Sequence, residues 1–279
     1  MNDWENTAYN QVPHSDNRIH SDELAQAYGF TGALVPGVTV SAYLIHPAIN
    51  QWGLNWLTHG SAHVMVKSPL YDDAPFAVSS TDVDDGYHGE LRSGDRLCAV
   101  AQVMLSAQPD RVQPSSGREG ADLMPENYLG PPASREFMDT LSRNGCLAKR
   151  FVWSADHEMA TYLRDQMAMP ALLRTDGSAG SGGYANMSFL LGCANRHFAA
   201  VASMSPWIHL ETRSWNYQAV PLNTALISEM RILDLFNRKG HEFADCEFNI
   251  FREDDGACVC RIEQRAIYHL RDPAVASEQ

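Results

Sequence analysis

The sequence predicts an α+β fold in which a curved sheet wraps a buried helix, and it predicts that this unit occurs twice. Three observations support the prediction. One stretch of the chain, Gly29–Gly53, is apolar on every side. Segments with the alternating pattern of strands follow it, and the two halves of the chain resemble each other. A helix that is apolar all round has to be buried on all sides, and a curved sheet is the simplest covering.

The apolar stretch contains almost no charge, yet it is too short and too interrupted by Pro36 and Pro47 to cross a membrane. Pro47 is expected to kink or split the helix because proline removes a backbone donor and clashes with the preceding turn. Gly37, near the start, leaves backbone N–H groups at the helix end. Such an end is a suitable place for a developing negative charge.

Strand patterns occur on both sides of a segment rich in Pro, Ser and Gly, which runs from Gln108 to about Pro132. The second half also contains two predicted helices, Ser154–Met167 and Tyr184–Ala200. The predicted strands are, in order, Trp4–Val12, Ala62–Val66, Phe76–Val83, Arg96–Ala107, Trp207–Trp215, Ala225–Leu235, Glu242–Phe251 and Ala257–Leu270.

An ungapped offset of 146 residues aligns the two halves. It pairs His63 with His209, which suggests a structural role for both, and Gly37 with Gly183. Other pairs are Tyr43 with Phe189, Ser68 with Ser214, Tyr71 with Tyr217, and Gly94 with Gly240. We therefore expect two related domains packed as an internal pseudo-dimer: residues 1–110, a linker over 111–145, and a degenerate copy over 146–279.

The bulk composition limits the class of partner. The chain has 279 residues and a net charge of −13, which argues against nucleic acid or an anionic membrane as the main partner. The polar, acidic amino terminus predicts no signal peptide, and the six scattered cysteines are typical of reduced core thiols. These features predict a cytoplasmic protein. His241–Phe248 lacks the second histidine of a zinc helix and alternates like a strand, so we predict no metal. We also expect no cofactor.

A polar loop immediately before the apolar stretch carries the candidate chemistry. A histidine near a carboxylate is suited to general acid–base catalysis, and an asparagine can orient a neighbour or a water. On composition alone, a polar surface turn that caps a helix is the favoured interpretation. The offset places Gln166 opposite His20 and Tyr162 opposite Asp16, which predicts one active site, in the first repeat. The loop residues are His14, Ser15, Asp16, Asn17, His20 and Asp22.

The phrase ALVPGVTVSAYL, which follows a D-N-x-x-H loop, resembles the MaoC-like hydratase/dehydratase family of the hot-dog superfamily. In that family an antiparallel sheet wraps a long central helix, so the resemblance implies a double hot-dog. His20, Asn17 and Gly37 match the family's loop histidine, loop asparagine and helix-start glycine.

The loop also departs from the family pattern. Ser15 holds the position of the family aspartate, with Asp16 one residue late. Arg18 stands where the family has proline, and Pro36 where it has histidine. The family chemistry therefore requires Asp16 or Asp22 as a substitute.

The resemblance implies a lyase that hydrates or dehydrates an acyl thioester, linked to coenzyme A or to an acyl carrier. His20 is then the general acid/base, Asp16 its partner, Asn17 an orienting group and Gly37 the oxyanion donor. The candidate substrate-binding residues are Ser15, Val38, Tyr43 and Trp52, with core packing as the alternative for those on the apolar helix.

Two other functions stay open. Hot-dog thioesterases use a carboxylate and a helix-start amide, so thioester hydrolysis is one. A non-catalytic protein that binds acyl chains or another small apolar ligand is the other. Exposed sheet edges also permit two such chains to pair as a homo-oligomer.

Overall fold

The computed structural model describes residues 3–14, 17, 30–105, 111–177, 182–204 and 206–271. Within these ranges the chain forms one ten-stranded sheet and four α-helices. The helices are α1 (Gly37–Trp52), α2 (Leu54–His59), α3 (Arg135–Asn144) and α4 (Met187–Val201). The strands are β1 (Trp4–Thr7), β2 (Gly60–Val66), β3 (Pro75–Val83), β4 (Gly86–Ser93), β5 (Arg96–Leu105), β6 (Lys149–Trp153), β7 (Ile208–Asn216), β8 (Thr224–Arg238), β9 (His241–Arg252) and β10 (Cys258–His269).

The order of the strands shows that the sheet consists of two copies of one unit. It runs β1-β3-β4-β5-β2-β7-β10-β9-β8-β6, and every described pair is antiparallel. Read inward from either edge, the order is the same when β6–β10 replace β1–β5. The two units meet where β2 pairs with β7. The predicted duplication therefore holds at the level of topology.

Helix α1 is the buried helix that the apolar stretch predicts. It begins only at Gly37: residues 30–36 form an irregular segment, in which Leu34 is bridged to Tyr71. It runs through Pro47 as one helix, so the predicted split at that residue is wrong. Helix α4 is buried in the same way, and the two helices pack against each other inside the sheet.

The predicted offset of 146 residues is wrong for the parts that surround the helices. The amide of Val35 donates to the carbonyl of Leu70 (2.9 Å), and that of Ala185 to the carbonyl of Val220 (2.8 Å). These equivalent bonds are 150 residues apart, and so are the starts of α1 and α4. Gly37 is consequently equivalent to Met187 rather than to Gly183.

The offset grows further along the chain because the strands of the second unit are longer. Strand β8 has 15 residues, whereas its equivalent β3 has 9. Gly94 lies in the turn between β4 and β5, but Gly240 lies between β8 and β9, so the predicted pairing of these glycines is also wrong. Gly256, between β9 and β10, occupies the place of Gly94, and both have positive φ.

The segment predicted as a helix over Ser154–Met167 instead forms turns followed by a 3₁₀-helix at Gln166–Ala168. Its backbone carbonyls bond to distant side chains. The Asn186 side-chain amide donates to the carbonyls of Met159 (2.9 Å) and Ala160 (3.1 Å). An interior helical turn would use those carbonyls itself. The sequence reading also missed β4 and β6.

Two smaller predictions concern the cysteines and the membrane. All six cysteines lie in the described ranges, where they are buried and free, as predicted. Every helix in the described ranges is too short or too polar to span a bilayer.

Candidate functional site

Two neighbouring cavities lie at the amino end of α1. The larger, which we call the polar cavity, has a volume of about 400 Å³ and extends along α4. The smaller, which we call the apolar cavity, has a volume of about 180 Å³. Asn17, Asn195 and Trp207 line both cavities, so the two adjoin at these side chains. The apolar side chains of the smaller cavity include Phe30, Leu34, Val35, Leu70, Ile208 and Leu210.

The amino end of α1 lines both cavities, and no side chain in the described part of the chain caps it. Pro36 is the N-cap residue, and its side chain has no atom that could accept a hydrogen bond from the helix amides, so only its backbone carbonyl can do so. That carbonyl accepts from the amides of Thr39 (2.9 Å) and Val40 (3.0 Å). Gly37 lines the apolar cavity, and Pro36 and Val38 line the polar cavity. The first amides of the helix are thus available to a ligand oxygen.

A glycine is required at this helix start because a histidine ring from the second unit lies against it. A Cβ atom placed on Gly37 would lie 2.9 Å from Cδ2 of His209, closer than carbon atoms normally approach. His209 lines the apolar cavity beside Gly37. The site at the start of the first helix is therefore completed by a residue of the second unit.

A β-bulge in β7 turns His209 inward. Arg265 of β10 pairs with Glu211, but the next residue, Ala266, pairs with His209, so Leu210 is an extra residue in β7. A bulge reverses the alternation of side chains along a strand and often re-aims one near a functional site. This bulge places His209 on the buried face.

Both ring nitrogens of His209 are held. Its Nδ1 lies 3.0 Å from Oδ1 of Asn195, and its Nε2 bonds to the hydroxyl of Thr212. An amide oxygen only accepts, so Nδ1 carries the proton and Nε2 accepts from Thr212. Burial lowers the pKa of His209 to about 4, so the ring is neutral near pH 7. This arrangement fixes the ring and is poorly suited to moving protons.

Asn17 attaches the polar loop of the first unit to the second unit. Its Nδ2 donates to the carbonyl of Trp207 (3.0 Å), and the amide of Trp207 donates to its Oδ1 (3.3 Å). Asn17 is buried by this reciprocal contact. His14, by contrast, is exposed at the rim of the polar cavity.

The structure brings three of the predicted site residues together: Asn17, Gly37 and Val38 all line the cavities. The predicted residues Ser15, Asp16 and His20, together with the alternative carboxylate Asp22, lie outside the described residues.

The other two predicted substrate-binding residues lie elsewhere. Tyr43 is buried, with its hydroxyl accepting from the amide of Tyr9 (2.8 Å) and its ring stacked on Phe76 at 4.3 Å. Trp52 is the last residue of α1 and stands beside Tyr87. A helix rises about 1.5 Å per residue, so Trp52 is roughly 20 Å from Gly37. Neither side chain lines the two cavities.

Sequence reasoning missed His209, Asn195 and Trp207. The predicted equivalence of His63 and His209 is wrong, because His63 bonds to Glu211 (2.6 Å) and is half-exposed, while His209 points inward. The helix-start glycine was a sequence signal for a close approach. Nothing local, however, indicated a bulge that brings a histidine to it.

The comparisons with known proteins concern the fold. No protein-family model matches the chain, and no curated protein is similar to it in sequence. Among solved structures, Rv0216 of Mycobacterium tuberculosis, a protein with a double hot-dog fold, aligns with a TM-score of 0.59 at 12% identity, over 95% of both chains. A protein of Chloroflexus aurantiacus described as a MaoC-domain dehydratase aligns with a TM-score of 0.54 at 10% identity, over 98% of this chain and 96% of its own.

Identities of this size carry information about the fold alone. The extent of the alignments agrees with the two units, each with a helix inside an antiparallel sheet, that the strand order shows. The chain therefore has the double hot-dog fold that its sequence predicts.

Proposed function

We propose that this chain is an enzyme that acts on acyl thioesters, and that it hydrates or dehydrates an enoyl or 3-hydroxyacyl group bound in the apolar cavity. One observation carries the proposal: the uncapped amino end of α1 lines an apolar cavity, with Gly37 in its wall. The carrier, coenzyme A or an acyl-carrier protein, would extend outward from this point.

The reaction needs a donor where negative charge develops. When water adds to C3 of an enoyl thioester, charge accumulates on the thioester oxygen before C2 takes a proton. A backbone amide at a helix start stabilises such an oxygen without having to reorganise. In this proposal Gly37 supplies that amide. His209, which the Asn195 and Thr212 contacts hold in place, keeps the wall beside it rigid.

The acid–base chemistry is assigned to the polar loop. His209 is a poor proton carrier because both of its nitrogens are engaged. His20 follows Asn17 by three positions, and three residues of chain span at most about 11 Å. Since Asn17 lines both cavities, this sequence distance is compatible with His20 as general acid/base and Asp16 as its carboxylate partner.

The volume of the apolar cavity indicates the size of the acyl group. Its 180 Å³ is slightly larger than the cavity of about 150 Å³ that holds a benzene molecule in an engineered protein. We therefore expect short acyl chains, of roughly six carbons or fewer, to be preferred over long ones.

The test is an assay of crotonyl-coenzyme A with the wild type and with His20→Ala, following the absorbance of the enoyl group. Loss of a general acid/base typically lowers the rate by about 10² to 10⁴. His88→Ala, which removes an exposed histidine of β4, is the matched control and should keep full activity.

The alternatives give different results in the same experiment. Release of free thiol without hydration would identify a thioesterase. Binding of the thioester with neither reaction, and with the same affinity in His20→Ala, would identify a non-catalytic acyl-binding protein. Either result overturns the hydratase proposal.

A further inference from the structure

The polar cavity has two cationic side chains in its wall, in a chain whose net charge is −13. Lys149 comes from the edge strand β6, and Arg196 comes from α4. On the same face of α4, Gly192, Ala199 and Ala200 also line the cavity. Their small side chains leave the space that the cavity occupies.

Arg196 is held in place by neighbours on the rim. Its Nη1 lies 2.9 Å from Nε2 of His157, and its Nη2 forms an ion pair with Glu158. Glu158 is mostly exposed, so solvent screens its charge. The guanidinium is thus positioned and only partly neutralised.

Lys149 has no such partner. None of the described residues forms an ion pair or a hydrogen bond with its ammonium group, which lies 5.9 Å from the ring centre of Phe151. Burial, and then the nearby guanidinium of Arg196, lower the pKa of Lys149. Two cations that repel each other at a cavity wall are a favourable environment for an anion.

The equivalent place in the first unit shows that these cations are not required by the fold. In the sheet, Trp4 pairs with Val78, and Lys149 pairs with Ser228. Val78 and Ser228 are 150 residues apart, which is also the separation of the two helix starts, so they are equivalent positions. Trp4 is thus the counterpart of Lys149. His46, 150 residues before Arg196, is the counterpart of Arg196. In the first unit the rings of Trp4 and His46 stack with their centres 4.2 Å apart.

We propose that Lys149 and Arg196 form a subsite in the polar cavity for an anionic oxygen group, a carboxylate or a phosphate, on the ligand whose acyl part lies in the apolar cavity. The position of the acyl part rests on the proposed function, whereas the anion subsite stands on the cavity and its two cations. A carboxylate at the far end of the acyl chain and a phosphate of the carrier share the chemistry that the site recognises.

The experiment uses the full chain and four enoyl thioesters. The acyl chain ends in a methyl group or in a carboxylate, and the carrier is coenzyme A or phosphate-free N-acetylcysteamine. Lys149→Met removes the charge at similar length, and Lys149→Arg restores it. Arg150→Met is the matched control, because Arg150 is the next residue of β6, points outward and pairs with Glu253.

We expect Lys149→Met to raise KM about tenfold for the thioesters that carry the recognised anion and to leave the methyl-terminated N-acetylcysteamine thioester unchanged. A rise in KM confined to the carboxylate-ended chains identifies the acyl end as the recognised anion, and a rise confined to the coenzyme A thioesters identifies the carrier phosphate. Lys149→Arg should bring KM most of the way back to the wild-type value. Equal KM values in Lys149→Met and Arg150→Met for all four thioesters would overturn the subsite while leaving the proposed reaction intact.

A binding measurement separates this proposal from the reaction. If no thioester turns over, calorimetric titration with glutarate and with inorganic phosphate shows whether the anion subsite exists. Binding that is at least fivefold weaker in Lys149→Met than in Arg150→Met supports the subsite even though the proposed function has failed. Equal binding of both anions by the two variants rejects it.

Discussion

The two units differ in how they fill the place where the edge strand meets the central helix. In the first unit Trp4 stacks on His46 at 4.2 Å with an angle of 19° between the rings, and the space is filled. The hydroxyl of Tyr162 closes it further, at 2.9 Å from Nδ1 of His46. In the second unit the same two positions hold Lys149 and Arg196, and a cavity of about 400 Å³ is left open.

The starts of the two helices differ as well. Asn186 caps α4, with its Oδ1 accepting from the amide of Phe189 at 3.0 Å, whereas Pro36 offers α1 no side-chain cap. Each unit is therefore closed where the other is open. The two units contribute different parts of the cavity walls: the first unit provides a helix start without a side-chain cap from the described residues, and the second provides the cationic wall and the histidine that lies against Gly37.

The largest effect expected from this comparison is on stability. Trp4→Ala removes a side chain packed on His46 and Phe76 and should lower the free energy of unfolding by about 3 kcal/mol. Lys149→Ala, at the equivalent position, should change it by less than about 0.5 kcal/mol. The lysine forms no ion pair or hydrogen bond with the described residues, and the repulsion from Arg196 that is lost opposes the weak contact with Phe151 that is also lost. Urea unfolding midpoints of the two variants measure the difference. Similar losses in both variants would mean that the second position also supports the fold.

The difference between the units also shows what sequence reasoning can reach. The apolar pattern of Gly29–Gly53 and the similarity of the halves predicted a buried helix wrapped by a sheet, in two copies, since burial follows from periodicity. The double hot-dog itself was implied by the resemblance to a family. The offset of 146 residues failed because an ungapped comparison cannot accommodate insertions. The equivalent positions Val35 and Ala185 are already 150 residues apart, and further along the chain β3 and β8 differ in length. The equivalence of Trp4 with Lys149 therefore emerged only from strand pairing.

The site was predicted less completely than the fold, for a physical reason. Gly37 and Asn17, which line the cavities, were predicted as site residues because their local residue pattern resembles a family. His209 was missed because its direction depends on one extra residue, Leu210, in the pairing of β7 with β10. Ser154–Met167 was predicted wrongly because Asn186, which is distant in sequence, takes the carbonyls of that segment. Long-range contacts of this kind leave no local signal.

The next largest effect is the pH dependence of stability. Burial lowers the pKa of His46 to about 4, whereas an unfolded histidine titrates near 6.5. Between these values the unfolded chain binds more protons, so stability falls as the pH falls from about 6.5 to 4. The glutamine amide in His46→Gln can still bond to Tyr162 but does not titrate. The acid loss, which is the unfolding free energy lost on acidification, should therefore be about 2 kcal/mol smaller in this variant than in the wild type.

The equivalent variant in the second unit is the control for this titration. Arg196 does not itself titrate in this range, and its partners are His157 and Glu158. Because Glu158 is mostly exposed and its ion pair is screened, Arg196→Gln should act chiefly through His157, whose pKa is lowered to about 4 by burial and by the Arg196 charge. Removing the charge raises that pKa, so the acid loss should shrink by a smaller amount than in His46→Gln. Unfolding free energies at pH 7, 5.5 and 4.5 provide the measurement. An equal or larger change in Arg196→Gln would contradict the assignment of the larger share of the acid-induced loss to His46.

The smallest expected effect concerns the two helix starts. Pro36→Asn gives α1 the cap that α4 has, and the backbone suits it, because φ and ψ are −55° and 139° at Pro36 and −80° and 163° at Asn186. Pro36→Ala also removes the proline but adds no cap, so it is the matched control. The asparagine variant should be about 1 kcal/mol more stable than the alanine variant.

The asparagine variant should also turn over enoyl thioesters roughly fivefold more slowly than the alanine variant, because the new oxygen weakens the positive end of the helix that meets the thioester oxygen at Gly37. Equal turnover in the two variants, with the stability gain present, would show that the reacting oxygen does not lie at this helix start.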